Sequence, residues 1–166
     1  MNRHYVFSGS LTREMADYLK NIPEFEPMDV LVSQVDRSGV KQMLKYKEEG
    51  IAKSFFLDSG AFTFHRMGTP VDVDEYIDYA NSLDEHTMAV AQLDTIPGKF
   101  GQPKSSKDYE ESAKKSWDNF LYMYPRMKSK DKLIPVFHYG EPFSALKNML
   151  EWRDDDGNCL SYIGIS

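Results

Sequence analysis

The feature that most constrains the fold of this chain is a regular alternation of short apolar runs with helix-like segments. Amphipathic segments with an apolar residue every three or four positions, such as 11–22 and 107–124, separate the runs. None of the runs alternates cleanly between apolar and polar residues, as expected for strands buried on both faces. This alternation predicts a parallel sheet with helical crossovers. The β-rich runs lie at 4–7, 28–32, 54–57, 88–93, 133–137 and 160–164.

Two α/β architectures satisfy this alternation, an open doubly wound sheet and a (β/α) barrel. No G-x-G-x-x-G follows the first run and no G-x-x-x-x-G-K-[ST] occurs, so the usual nucleotide-binding motifs of open sheets are absent. A complete eight-unit barrel needs about 200–250 residues, whereas this chain has 166. We therefore predict one TIM-barrel-like α/β domain over residues 1–166, with about six of the eight units. Because the chain ends directly after the sixth run, we expect it to be a fragment, a truncated product or a chain completed by a partner.

Composition excludes several classes of protein. The chain is 41% hydrophobic and contains 10 Phe and 10 Tyr, enough for a sizeable core and against global disorder. Its single cysteine, Cys159, rules out an intramolecular disulfide and is predicted to be a small core residue. No apolar run approaches the ~20 residues that span a bilayer, and the N-terminus lacks a signal-peptide core. We expect a soluble, cytoplasmic protein that does not contact a membrane.

The net charge of −6 conceals a local reversal of sign. Residues 99–132 contain 9 basic and 5 acidic side chains, whereas the segments on either side are acidic. Lys99, Lys104 and Lys107 follow the fourth run closely and could contact the phosphates of a nucleic acid. A solvated helix face is the more common explanation of such a charge pattern, and it remains open.

Polar residues directly follow the apolar runs. Parallel α/β folds place their sites at the carboxyl ends of strands, so we expect Asp58, Asp94 and His138 to converge at one edge. Two carboxylates and an imidazole could recognise the donors and carbonyl of a heterocycle or transfer protons. They could also hold a divalent metal, with His65 as a further ligand, although no HxH or HExxH spacing occurs. Turn caps and a structural histidine are the alternatives at these positions.

Residues 56–63, FLDSGAFT, resemble the DSGGFQ element of the tRNA-guanine transglycosylases. They are closer still to that element in the phage and bacterial relatives that exchange guanine for a 7-deazaguanine in DNA. Leu93-Asp94, the string IPVFHYG at 134–140 and the string YIGIS at 162–166 follow in the order that this family requires. The resemblance covers about residues 54–166.

The resemblance implies a base exchange in which a carboxylate attacks C1′ and guanine leaves, with DNA as a more probable substrate than tRNA and with no cofactor. It assigns contact with the base and proton handling to Asp58, which makes Asp58 the catalytic candidate. It assigns recognition of the amidine-like edge of the base to Asp94. His138 stands where the tRNA enzymes carry a base-binding glutamine. The other substrate-binding candidates are Ser59, Gly60, Phe62, Tyr139, Gly140 and Gly164.

The chain also departs from this family. Ile165 stands where the family has a second glycine, and the zinc-binding cysteines have no counterpart. The nucleophilic aspartate would lie after Ser166, so we expect the chain to hold the base-binding half of the site without its nucleophile. Two other functions stay open. One is a metal-dependent barrel hydrolase that uses Asp58, Asp94 and His138, and the other is a non-catalytic truncated barrel that binds a partner chain or a second copy of itself.

Overall fold

Strands and helices alternate along the chain, as the sequence predicts. The computed structural model describes residues 5–9 and 11–166, so His4 and Ser10 of the first predicted run and its exit lie outside the described residues. The strands are β1 (Val6–Phe7), β2 (Met28–Ser33), β3 (Ala52–Asp58), β4 (Thr87–Ala91), β5 (Leu133–Ile134), β6 (Val136–Phe137) and β7 (Gly164–Ile165). The helices are α1 (Arg13–Lys20), α2 (Arg37–Glu48), α3 (Ala61–Met67), α4 (Val73–Ser82), α5 (Ser106–Met123) and α6 (Phe143–Glu151).

The strands β1 to β5 form one parallel sheet in the order in which they occur along the chain. A doubly wound sheet would reverse its strand order, and β1 to β5 show no reversal. The fifth predicted strand is divided into β5 and β6 because Pro135, between them, has no N–H to donate to a neighbouring strand. The strand β6 pairs with β7 in a separate parallel ribbon. This arrangement is compatible with a partial α/β fold.

Helices cover one face of the sheet and leave the other partly open. Val32, Leu57 and Val90 are paired across three neighbouring strands, and each is 5% exposed or less. They belong to the same core as fully buried Tyr76 of α4 and Phe120 of α5. On the opposite face, Leu31 of β2 remains 37% exposed. The sheet therefore has one buried face and one that still meets solvent.

Side chains cap the starts of α4 and α5. The spacing of Asp72 and Glu75 in the sequence predicts the first of these caps. Asp72 caps α4, because its carboxylate accepts the N–H groups of Asp74 and Glu75 at 2.8 and 3.2 Å. Ser105 and Asp108 form a reciprocal capping box, so α5 begins one residue earlier than predicted. The helical spacing of four apolar residues predicts the buried face of α4 and of the residue directly after it. All four are buried: Tyr76, Ile77, Ala80 and Leu83.

Three predictions about local structure are wrong. Two glycines and a proline between Asp58 and Asp72 predict a loop, but this segment contains α3, which Gly60 and Gly68 bound with left-handed φ angles of 70° and 66°. The sixth strand is shorter than predicted and comprises only Gly164–Ile165. Cys159 is exposed rather than buried, because the segment before β7 packs loosely. In the described ranges 5–9 and 11–166, no helix is long and apolar enough to cross a membrane.

Candidate functional site

The carboxyl edge of the sheet gathers the polar residues that the sequence places after its strands. Asp58 is the last residue of β3, Asp94 follows β4 by three residues, and His138 comes directly after β6. Asp94 contacts both His138 and Ser59, the residue after Asp58. These contacts bring Asp94 and His138 together beside the turn that carries Asp58.

Asp94 is at the centre of this edge. Its Oδ1 accepts the hydroxyl of Ser59 at 2.6 Å, and its Oδ2 lies 2.8 Å from Nε2 of His138. Its side chain is only 11% exposed. Because a carboxylate has about four lone-pair directions, each oxygen of Asp94 keeps acceptor capacity for a ligand.

Helix α5 holds the loop that carries Asp94. Leu93, just before Asp94, accepts the side-chain amide of Asn119 at 2.7 Å. Thr95, just after Asp94, donates its N–H to the Ser116 hydroxyl at 2.8 Å and accepts the Ser112 hydroxyl at 2.6 Å. Three polar side chains on one face of a helix therefore fix the backbone on both sides of Asp94.

His138 lies between two carboxylates. Its Nε2 faces Asp94, its Nδ1 lies 3.2 Å from Oε1 of Glu141, and its backbone N–H donates to Oε2 of Glu141 at 3.1 Å. Burial, the largest single effect, disfavours the charged ring. Hydrogen bonds to Asp94 and Glu141 outweigh it and raise the pKa of His138 to about 9. The ring is therefore an imidazolium at neutral pH, and both of its N–H groups are occupied.

This geometry changes the role expected for His138. With both ring nitrogens engaged by carboxylates, His138 has no free N–H for the carbonyl of a base and instead orients Asp94. Sequence reasoning missed Glu141 as a site residue. In the structure its side chain contacts His138 and has no solvent exposure. The only signal was its position three residues after His138, which is too common a spacing to identify a partner.

Asp58 is a titratable acid in a constrained turn. Its Oδ2 accepts the Gly60 N–H at 2.9 Å. Burial raises the pKa of Asp58 above its ordinary value, hydrogen bonds from Gly60 and Ser33 oppose the rise, and the charge of Asp94 adds to it. Gly60 is required here, because a Cβ atom at this position would lie 2.2 Å from Cγ2 of Val35. Asp58 is thus suited to exchange a proton with a ligand.

The other predicted substrate-binding residues lie around this centre without joining its hydrogen-bond network. Phe62 of α3 is 58% exposed, and its ring contacts Phe100 edge-on with a centroid distance of 6.1 Å. Tyr139 is 90% exposed. Gly140 has a φ of 96° and packs so closely on the Tyr109 ring that a Cβ would lie 2.6 Å from it. Gly164 is paired with Val136 in the β6–β7 ribbon.

The three candidate phosphate-binding lysines differ in their surroundings. Lys107 pairs with Glu111 at 3.6 Å on the exposed face of α5. Lys99 and Lys104 are exposed in the loop between β4 and α5. Lys99 also lines a cavity of about 360 Å³, to which Lys115 of α5 contributes a second cation. Among the residues that the structure describes, Lys107 is thus the one of these three lysines with an ion-pair partner.

A small cavity opens beside Asp94. It has a volume of about 200 Å³, which is below the ~300–1,000 Å³ of typical small-molecule sites and therefore suits a single ring system. His65 of α3 lines it, and Nε2 of His65 is buried without a hydrogen-bond partner. The remaining lining residues are Ala61, Phe64, Thr69, Val71, Leu93, Thr95, Ile96 and Asn119.

A larger cavity of about 650 Å³ lies away from this edge, beside the start of β5, between Tyr124, Trp152 and Cys159. None of the predicted site residues lines it. Within residues 5–9 and 11–166, no group of three or more His, Cys, Asp or Glu side chains is placed to hold a metal ion. The structure thus adds no support for the metal-dependent hydrolase.

Comparisons of this chain with models of protein families, with characterised proteins and with solved structures found no match.

Proposed function

We propose that the carboxyl edge of the sheet binds a guanine-like base through Asp58 and Asp94, as one part of a transglycosylase-like exchange of guanine for a 7-deazaguanine in DNA. One observation carries this proposal: Asp94 lines a cavity of ring size, and its hydrogen bond with Ser59 connects it to the turn that carries Asp58. The likeness of residues 56–63 to the DSGGFQ element supports the same interpretation. In this proposal the sheet belongs to a partial TIM-like barrel, and the protein acts in the cytoplasm.

The chemistry of the base matches that of the site. The recognition edge of guanine presents a ring N–H and an exocyclic amino group, both hydrogen-bond donors, and ionised carboxylates are acceptors only. Hydrogen bonds to a charged acceptor are stronger than neutral ones. Ser59 and His138 orient Asp94, while Asp58, with its raised pKa, moves a proton to or from the base.

In the full reaction, a carboxylate attacks C1′ of the target nucleoside, the glycosidic bond breaks, and guanine leaves with a proton from Asp58. The incoming base then gives its ring N–H proton to Asp58 and displaces the carboxylate from C1′, so that no oxidant, reductant or nucleotide is consumed. In this proposal Asp58 and Asp94 hold the leaving and entering bases, and neither acts as the nucleophile. In this proposal, a completing partner chain or a second copy of this chain supplies the nucleophilic carboxylate.

Calorimetric titration with guanine and 7-deazaguanine tests the base-binding role. Asp58→Asn keeps an oxygen for the Gly60 N–H but removes the charge, so binding should weaken by about 1.5–3 kcal/mol, or roughly one to two decades in Kd. Asp36→Asn is the matched control, because Asp36 is an exposed carboxylate that likewise accepts a glycine N–H, that of Gly39 in α2. Equal affinities of the wild type and Asp58→Asn would refute the assigned role.

Asp94→Asn is a harsher second test. The side-chain NH2 group that this substitution introduces is a donor, and it would face the Ser59 hydroxyl or the His138 N–H, which are donors as well. Local structure therefore changes together with binding. We expect a loss of affinity at least as large as for Asp58→Asn. Circular dichroism and unfolding curves, recorded beside the titration, separate loss of binding from loss of fold.

A further inference from the structure

The loop between β4 and α5 ends in a tip that is bounded by two glycines. Gly98 and Gly101 have φ angles of 67° and 75°, a conformation that other residues rarely adopt. The Gln102 N–H donates to the Lys99 carbonyl at 3.1 Å and closes the turn. This turn directs Lys99 and Phe100 outward, and the Phe100 side chain stays 52% exposed.

The tip lies next to the proposed base site. The Phe100 ring meets Phe62 edge-on, and it meets His65 in the same way at a centroid distance of 6.4 Å. Phe62 follows Gly60 of the Asp58 turn by two residues, and His65 lines the cavity beside Asp94. An exposed aromatic ring therefore stands directly beside the edge where the base would sit.

Unpaired cations flank this ring. Lys99 and Lys104 form no ion pair within the described parts of the chain. The nearest acids on α5 are already engaged, since Asp108 caps the helix with Ser105 and Glu111 pairs with Lys107. Exposed aromatic rings interleaved with lysines are the combination that binds stacked bases and phosphates together.

We propose that the Lys99–Phe100 tip is a wedge for duplex DNA: Phe100 enters the base stack at the position of the target guanine, while Lys99 and Lys104 contact the flanking phosphates. Enzymes that act on a base within a duplex extrude it, and apolar side chains that enter a base step unstack and kink the duplex. The inference rests on the proposed function, because the extruded base is the one held at Asp58 and Asp94.

Fluorescence of a duplex with 2-aminopurine next to a single guanine tests the wedge. The full chain should raise the fluorescence on binding, because an inserted Phe100 unstacks the neighbouring 2-aminopurine. Phe100→Ala should lose this rise and bind the duplex at least about fivefold more weakly, the lower end of the range for one stacking contact. Tyr18→Ala, which removes a 71% exposed ring from α1, is the aromatic control and should behave as the wild type.

The lysines are tested by the salt dependence of duplex affinity. Lys99→Gln should weaken binding and reduce the slope of log K against log salt by about one. Lys128→Gln removes an exposed charge from the same basic segment but beyond the far end of α5, and should leave the slope unchanged. An unchanged slope for Lys99→Gln would remove Lys99 from the proposed contact.

Three results would overturn the wedge: no binding of the duplex, binding of single-stranded DNA or RNA only, or a full fluorescence rise with Phe100→Ala. Titration of the wild type with free 7-deazaguanine separates this inference from the proposed function. If the free base binds and the duplex stays stacked, only the wedge fails. If the free base does not bind while the fluorescence rise depends on Phe100, the wedge stands and the base-binding role fails.

Discussion

Replacing Glu141 with glutamine should lower the pKa of the His138 imidazole, because it removes one of the two carboxylates that keep this ring charged. In the wild type, hydrogen bonds to Asp94 and Glu141 overcome the effect of burial and raise the pKa from 6.5 to about 9. An opposite charge within hydrogen-bond distance changes the pKa of a group by about 1–3. Glu141→Gln should therefore move the pKa of His138 down by at least about one unit.

A titration of the histidine ring signals by NMR measures this change. The chain has 4 His residues, and His138→Gln identifies the signal of interest by its disappearance. Glu48→Gln, an exposed change on α2, is the matched control and should leave the pKa of His138 in place. If the wild-type ring titrates near 6.5, His138 does not bind Asp94 and Glu141 in solution, and the orientation of Asp94 needs another explanation.

The same interaction makes stability depend on pH in a defined direction. Since the folded-state pKa lies above the ordinary value, the stabilisation is complete below pH 6.5 and is lost as the pH rises through about 9. The shift corresponds to at most about 3 kcal/mol, and partial exposure of the ring reduces this to about 2 kcal/mol. Urea unfolding from about pH 6 to pH 10 should show that the wild type loses this amount relative to His138→Gln. A constant difference between the two proteins over that range would contradict the linkage.

Two further predictions concern the fold and the activity. Gly140→Ala should lower the free energy of unfolding by about 1–3 kcal/mol, because its Cβ would meet the Tyr109 ring; Gly50→Ala, with φ 74° and nothing within 4 Å, isolates the backbone strain. Residues 1–166 alone should show no guanine exchange, because neither Asp58 nor Asp94 is the proposed nucleophile. They should also associate, because Leu31 on the sheet and 71% exposed Ile165 in the β6–β7 ribbon leave apolar surface. Incorporation of radiolabelled guanine into oligonucleotides, measured beside light scattering, tests both statements, and turnover by a strictly monomeric chain would show that the nucleophile is already present.

Much of the fold could be predicted because its signals are local. Five of the six apolar runs coincide with strands, whereas the sixth overlaps β7 only at Gly164. Asp72 caps α4 at the residue where capping spacing occurs. The helix α3 was missed for a local reason as well. It has only 7 residues, too few to show a helical period, and the glycines that bound it are also typical of loops.

For the site, the sequence could predict only which residues lie at the carboxyl ends of the strands. Because parallel strands end at one edge, Asp58, Asp94 and His138 could be expected to meet there. The sequence could not show that Asp94 and Glu141 would occupy both ring nitrogens of His138, since that depends on the turn between β6 and α6. The pairing of Lys107 with Glu111 follows from their i,i+4 spacing within α5, whereas Lys104 lies before α5 and Asp108, four residues after it, caps the helix with Ser105.

The chain of hydrogen bonds from Ser59 through Asp94 and His138 to Glu141 also limits how this protein can evolve. Loss of any member leaves a buried polar partner unsatisfied, and such a group is costly in a low-dielectric environment. Single substitutions at these positions should therefore be rare among descendants of the same ancestor, and replacements should occur in pairs. In particular, a lineage with glutamine at the position of His138 should have no acid at the position of Glu141, because a neutral amide cannot compensate a carboxylate that is withdrawn from water.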